Sequence, residues 1–209
     1  MTKILFMNSG GMDSLVGMKK LIMDGHEVHY LYLDYGQISN QRARIAVEII
    51  ANKLNIPPQN RNIIKIDFSE SVIDTLEHDY LPVNPFIVVG SGRATAYLQH
   101  LMRVIGGSFA YKINAQILAG GFRVSNNIVD TVVTSFYNKI TGIYENIQFY
   151  SPLQGLNREG VKNLALELGL TVQDLRETVS CMALADRACG TCLKCRERAE
   201  LGIEETIIL

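Results

Sequence analysis

The sequence predicts an α/β protein built on a doubly wound, mainly parallel five-stranded sheet, with a small four-cysteine segment at its C-terminal end. Three observations predict it. Short apolar runs alternate with longer amphipathic ones along most of the chain, the pattern of strands joined by crossover helices. Polar or glycine-rich loops follow several of the apolar runs, where open parallel sheets bind their ligands. All the cysteines are gathered between Cys181 and Cys195.

The elements follow in order. Ile4–Met7 reads as a buried strand that runs into Asn8-Ser9-Gly10-Gly11. A helix then begins near Asp13, with Leu15, Met18 and Ile22 on one face and Gly25 at its stop. Val28–Leu33 is the second strand. Gln41–Leu54 is a helix with Ile45, Ile49, Ile50 and Leu54 as its apolar stripe, and Ile63–Ile66 is the third strand. Ser69–Gly92 contains Pro82 and Pro85 and reads as a loop in its second half. A helix over Ala94–Ile105 continues toward Gly106-Gly107. Ile117–Gly121 is a fourth strand ending in glycines, Val129–Ile140 a helix and Ile147–Tyr150 a fifth strand. Asn157 is placed to cap a helix running to Leu168, with Gly169 as its stop, and a short helix follows over Thr171–Glu177.

At 209 residues and 47% hydrophobic content, the chain can bury one sizeable core. It reads as one domain over 1–209 that includes the cysteine segment, 178–209. A formal net charge of −1 gives no drive toward bulk nucleic acid or a membrane surface. No apolar run approaches the roughly 18 residues of a membrane span, and the N-terminus enters a motif too soon for a signal peptide. The expected location is cytoplasmic. A homodimer is compatible with the sequence, which does not decide the assembly.

Ser9-Gly10-Gly11-Met12-Asp13-Ser14 joins a strand to a helix. The first amides of that helix carry partial positive charge without helical partners. Glycines there let an anion reach the backbone, and Ser9 and Ser14 add hydroxyl donors. Asp13 is unusual beside an anion: it can hold Mg²⁺ near phosphates, or brace the loop by accepting amide hydrogen bonds. The spacing is neither a Walker loop nor Gly-x-Gly-x-x-Gly.

Cys181, Cys189, Cys192 and Cys195 form C-x7-C-x2-C-x2-C. Four thiolates so close in sequence can close a tetrahedral shell around Zn²⁺. Disulfides and an iron–sulfur cluster are the alternatives; the expected compartment disfavours the first, and spacing does not exclude the second. Arg187, Lys194, Arg196 and Arg198 flank the thiols and can offset their charge.

The six-residue loop resembles the PP-loop of ATP pyrophosphatases, which adenylate a substrate oxygen and release pyrophosphate. Joined to the C-terminal cysteines, it resembles the 7-cyano-7-deazaguanine synthase family. Asp34-Tyr35-Gly36-Gln37, Ser151-Pro152-Leu153, Leu166–Gly169 and Thr178-Val179-Ser180-Cys181 are similar to that family's segments. The resemblance implies an adenine nucleotide alpha hydrolase-like fold and an ATP-dependent carbon–nitrogen ligase that takes a 7-deazapurine acid and ammonia. It implies ATP, Mg²⁺ and Zn²⁺ as cofactors. Asn8 through Ser14, Tyr35, Gln37 and Gly120 would bind the nucleotide. Ser9, Asp13, Ser14 and Arg93 would act in catalysis, and the four cysteines would hold the metal. Two segments depart from the family pattern. Ser91-Gly92-Arg93-Ala94 keeps its arginine and lacks its asparagine, and the loop after Gly121 does not match the family's acceptor loop. Asn126, Asn127 and Asp130 stand near the acceptor by position alone. Sulfur transfer to tRNA is disfavoured, because all four cysteines are used by one site.

Overall fold

The computed structural model describes residues 1–66, 103–121 and 147–209. Five parallel strands form one sheet in the order β3-β2-β1-β4-β5. They are β1 (Lys3–Met7), β2 (Glu27–Asp34), β3 (Arg61–Lys65), β4 (Ile117–Gly120) and β5 (Gln148–Tyr150). The helices are α1 (Met12–Met23), α2 (Asn40–Lys53), α3 (Arg158–Glu167), α4 (Val172–Arg176) and α5 (Leu193–Glu200). Residues 103–112 are also helical.

Alternation along the strands explains the layers. Ile4, Phe6, Val28, Tyr30 and Tyr32 face one side, where they pack with Leu15 and Met18 of α1, Val47 and Ile50 of α2, and Val161 of α3. Leu5, Leu31, Leu33 and Leu118 face the other side and meet Ala110 and Phe109 of the 103–112 helix. A strand covered on both faces needs apolar residues at successive positions, which is why β1 and β2 read as unbroken runs.

The expected sheet is thus present, with boundaries shifted by a residue or two. β2 extends to Asp34 because each of its last residues pairs with β3, from Tyr30 opposite Arg61 to Asp34 opposite Lys65. Asn157 accepts the Gly160 amide at 2.7 Å and caps α3. Thr171 and Asp174 make a reciprocal capping box on α4. The 103–112 helix does continue through Gly106 and Gly107.

Two readings need correction. The buried face of α2 is Arg42, Ala43, Ala46, Val47, Ile50 and Ala51, while Ile45 is exposed. The stripe rotates because Arg42 turns inward to the C-terminal segment, and the small alanines let the helix approach the sheet. The cysteine segment, to which the sequence assigned no element, contains α5, which begins immediately after Cys192. The expected helices over Ala94–Ile105 (up to residue 102) and Val129–Ile140, and the loop within Ser69–Gly92, lie outside the described residues.

Strand order reverses at β1, with β2 and β3 on one side and β4 and β5 on the other. Met7 pairs with Leu31 and with Gly120. The carboxyl end of β1 therefore opens at the switch point, where such sheets form their crevice.

Candidate functional site

A cleft of about 240 Å³ opens at that point. Its floor is the turn from β1 into α1. Gly10 takes φ +77°, a left-handed conformation that favours glycine. A Cβ there would lie 2.7 Å from the Ala43 carbonyl oxygen. Gly11 occupies the cap position of α1, and no side chain among the described residues caps that helix. The N-terminal dipole of α1 thus faces the cleft.

The serines are coupled. The Ser9 amide donates to Ser14 Oγ at 3.1 Å, and the two hydroxyl oxygens are also 3.1 Å apart. One hydroxyl proton serves that contact, which leaves the other to donate elsewhere. Asn8 is buried, and its Oδ1 accepts the Gly10 amide at 3.0 Å. Its Nδ2 is buried with no acceptor among the described residues, although the residue lines the cleft. A buried donor without an acceptor is costly unless a ligand supplies one. Asp13 lies in the first turn of α1 and lines the cleft. Gly121 passes directly over it: a Cβ on Gly121 would stand 2.8 Å from the Asp13 carbonyl carbon.

The second wall follows β2. Tyr35 and Gln37 line the cleft. The Gln37 amide group is mostly committed to the loop, since Oε1 accepts the Tyr35 amide at 3.1 Å and Nε2 donates to the Tyr32 hydroxyl at 2.6 Å. Tyr32 in turn donates to Asn40 Oδ1 at 2.7 Å. Burial pushes the Tyr32 phenol well above its ordinary pKa of 10, so it stays a protonated link in this chain. Gln37 therefore shapes the pocket wall. Gly120 sits within β4, and its neighbour Gly121 is the residue that reaches the cleft. Arg93, Asn126, Asn127 and Asp130 lie outside the described residues.

The third wall was not anticipated. Val179, Ser180, Met182 and Lys194 from the C-terminal segment line the cleft, as does Arg158 at the start of α3. The Val179 amide donates to the Gly10 carbonyl at 2.8 Å, tying this segment to the β1–α1 loop. Arg158 Nε lies 2.6 Å from Glu197 Oε2 and so links α3 to α5. The tie to the first cysteine's neighbourhood was the one signal available in sequence, through Thr178-Val179-Ser180-Cys181.

Behind that wall stand the cysteines. One sulfur from each of Cys181, Cys189, Cys192 and Cys195 lies within 4.8 Å of the others. Cys189 and Cys195 sulfurs are 3.9 Å apart, close to the roughly 3.8 Å edge of a tetrahedron with 2.3 Å zinc–sulfur bonds. The Cys189 amide donates to Cys181 Sγ and the Cys192 amide to Cys189 Sγ, both at 3.3 Å. Gly190, at φ +72°, makes the turn that aims them. These amides stabilise thiolates. A hydrogen bond from Cys192, helped by the Cys189 amide, draws the Cys181 thiol down to about 4, while burial pushes Cys195 up to about 11. The set fits one tetrahedral thiolate-bound metal.

The expected charge offset is only partly realised. Arg198 is buried and donates to Thr178 Oγ1, Ser180 Oγ and the Leu175 carbonyl instead. Arg187 is exposed beside Asp186. Arg42 is fully buried. It pairs with Glu205 at 2.9 Å and donates to the Cys181 and Leu184 carbonyls.

The fold is similar to that of a predicted subunit of tRNA methyltransferase from Methanocaldococcus jannaschii (TM-score 0.53, 22% identity, 79% of this chain and 76% of that one). It is also similar to a 4-thiouridine synthetase solved with RNA and ATP (TM-score 0.53, 12% identity, 97% of this chain and 50% of that one). In sequence, the chain is similar to 7-cyano-7-deazaguanine synthases from Pseudoalteromonas translucida (24% identity, 95% of this chain, 92% of the relative) and Rickettsia felis (28%, 96% and 94%). The family model described as queuosine biosynthesis protein QueC matches residues 3–206, nearly the whole chain, and the protein belongs to that family.

Proposed function

We propose that this protein is an ATP-dependent ligase that converts 7-carboxy-7-deazaguanine and ammonia to 7-cyano-7-deazaguanine. The observation that carries the reading is the uncapped α1 terminus at the sheet's switch point, flanked by Gly10, the paired Ser9 and Ser14, and the orphaned Asn8 Nδ2. It supports a site for a phosphate chain, in a chain whose relatives are named as synthases of this product.

The substrate carboxylate attacks the α-phosphorus of ATP, and the bond to pyrophosphate breaks. Ammonia adds to the acyl carbon, AMP leaves, and loss of a proton gives the amide. Attack of the amide oxygen on the α-phosphorus of a second ATP releases pyrophosphate, and loss of AMP and both nitrogen protons gives the nitrile. The α1 amides and the free hydroxyl proton of the Ser9–Ser14 pair stabilise the charge that develops on pyrophosphate. Mg²⁺, where bound by Asp13, would neutralise part of the phosphate charge. Asn8 Nδ2 donates to the nucleotide. The four cysteines would hold Zn²⁺ as a structural site, since a four-thiolate shell leaves no position open. Arg93 is a clamp for phosphate or carboxylate by its chemistry.

The protein incubated with ATP, Mg²⁺, ammonia and 7-carboxy-7-deazaguanine should yield AMP and the nitrile, followed by mass spectrometry. AMP release that does not depend on the acid would overturn the acceptor; no AMP at all would overturn the ligase. Asp13→Ala and Ser14→Ala should each lower AMP release by about 10²-fold while the melting temperature holds.

A further inference from the structure

Ser180 precedes the first cysteine and belongs neither to the metal set nor to the phosphate loop. Its amide donates to Glu205 Oε1 at 2.6 Å, which fixes the residue from behind. The residue lines the cleft. Ser180 Oγ stands 3.9 Å from the place a Cβ on Gly11 would occupy, directly over the phosphate loop.

Arg198 decides what this hydroxyl can do. Arg198 Nη1 donates to Ser180 Oγ at 3.2 Å. A guanidinium only donates, so Ser180 Oγ is the acceptor and must place its own proton elsewhere. Thr178 is the control within the structure. The same Arg198 nitrogen donates to Thr178 Oγ1 at 3.0 Å, and Thr178 passes its proton to the Leu175 carbonyl at 2.6 Å. Among the described residues no acceptor takes the Ser180 proton. Arg198 is 1% exposed, so water does not screen its pull on the hydroxyl.

We propose that Ser180 contacts the bound nucleotide, donating its hydroxyl proton to a phosphate oxygen across from Gly11, and that Arg198 is a positioning residue acting through it. The inference rests on the reading of this cleft as the ATP site. It gives the metal segment a direct part in binding, since Ser180 is held by the same Glu205 carboxylate that accepts the Cys181 amide.

Calorimetric titration of the metal-loaded protein with ATP and Mg²⁺ tests it. Ser180→Ala should weaken binding about 10-fold, the scale of one hydrogen bond to a charged group, with metal content and melting temperature unchanged. Ser180→Thr, which keeps the hydroxyl, should restore most of the affinity. Arg198→Met should weaken binding in the unsubstituted background and add little to Ser180→Ala; if that variant does not fold, the alanine and threonine pair decides alone. Affinity within twofold of the unsubstituted protein in Ser180→Ala would overturn the proposal and leave the ATP site standing. So would weakened binding accompanied by loss of metal. Failure of the unsubstituted protein to bind ATP would sink the ATP reading and this one with it.

Discussion

Gly10 shows how much one backbone position can decide. Its positive φ and the Ala43 carbonyl beside it exclude a side chain. Gly10→Ala should cost roughly 1–3 kcal/mol, read as a lower denaturant midpoint, and should also displace the Val179 amide that bonds to the Gly10 carbonyl. Weakened ATP binding should accompany the lost stability. The loop's place between strand and helix was legible because the requirement is local: a strand, two small residues, then a helix start. Ser180 was not legible as a site residue. It stands far from the loop in sequence, and nothing local marks a serine whose proton has no acceptor among the described residues.

At the scale of elements, α2 and the C-terminal tail are joined by the Arg42–Glu205 pair. Arg42 is entirely buried, and Glu205 also accepts the Ser180 and Cys181 amides. Removing one partner leaves a buried charge, so Glu205→Leu should destabilise by about 3–5 kcal/mol, and adding Arg42→Met should recover part of the loss. Chemical denaturation of these two variants beside the unsubstituted protein checks both statements. The apolar stripe assigned to α2 from spacing was rotated for this reason: an arginine reads as a surface residue until a distant carboxylate is known to meet it.

The capping box of α4 carries a pH dependence. Burial pushes the Asp174 carboxyl up, but Lys53 and the Thr171 amide and hydroxyl outweigh it and hold the pKa below 3.8. A carboxylate with a depressed folded pKa contributes stability above its unfolded value and loses it as the pH falls through the folded one. The loss therefore belongs below about pH 4. It should amount to about 1 kcal/mol or less, since the Lys53 contact lies near the surface. Asp174→Asn should flatten the fall in melting temperature between pH 5 and pH 3; an unchanged slope would remove Asp174 as a contributor.

Across the whole molecule, the two ends of the chain make one site. The loop at the floor of the cleft follows the first strand, and the wall over it comes from the cysteine segment. Chelation should release about one zinc per chain and lower stability by about 2 kcal/mol or more, roughly 4–8 °C in melting temperature for a chain of this size. Metal analysis with parallel melting curves checks this, and iron in place of zinc would change the assignment of the cluster. ATP affinity should fall with the metal, because Ser180 is anchored beside Cys181.

The sequence by itself determined the parallel α/β class, the glycine–serine turn between β1 and α1, and the four-cysteine set. Each is written in short-range pattern: alternation of apolar runs, a run of six residues, a spacing of thiols. Tertiary structure alone decided that the cysteine segment is a wall of the cleft rather than an appendage. It also decided that Arg198 serves Thr178 and Ser180 instead of the thiolates, and that Gln37 braces its loop. These depend on contacts between residues far apart in the chain, formed where the sheet reverses its order, and periodicity carries no information about which buried donor will meet which acceptor.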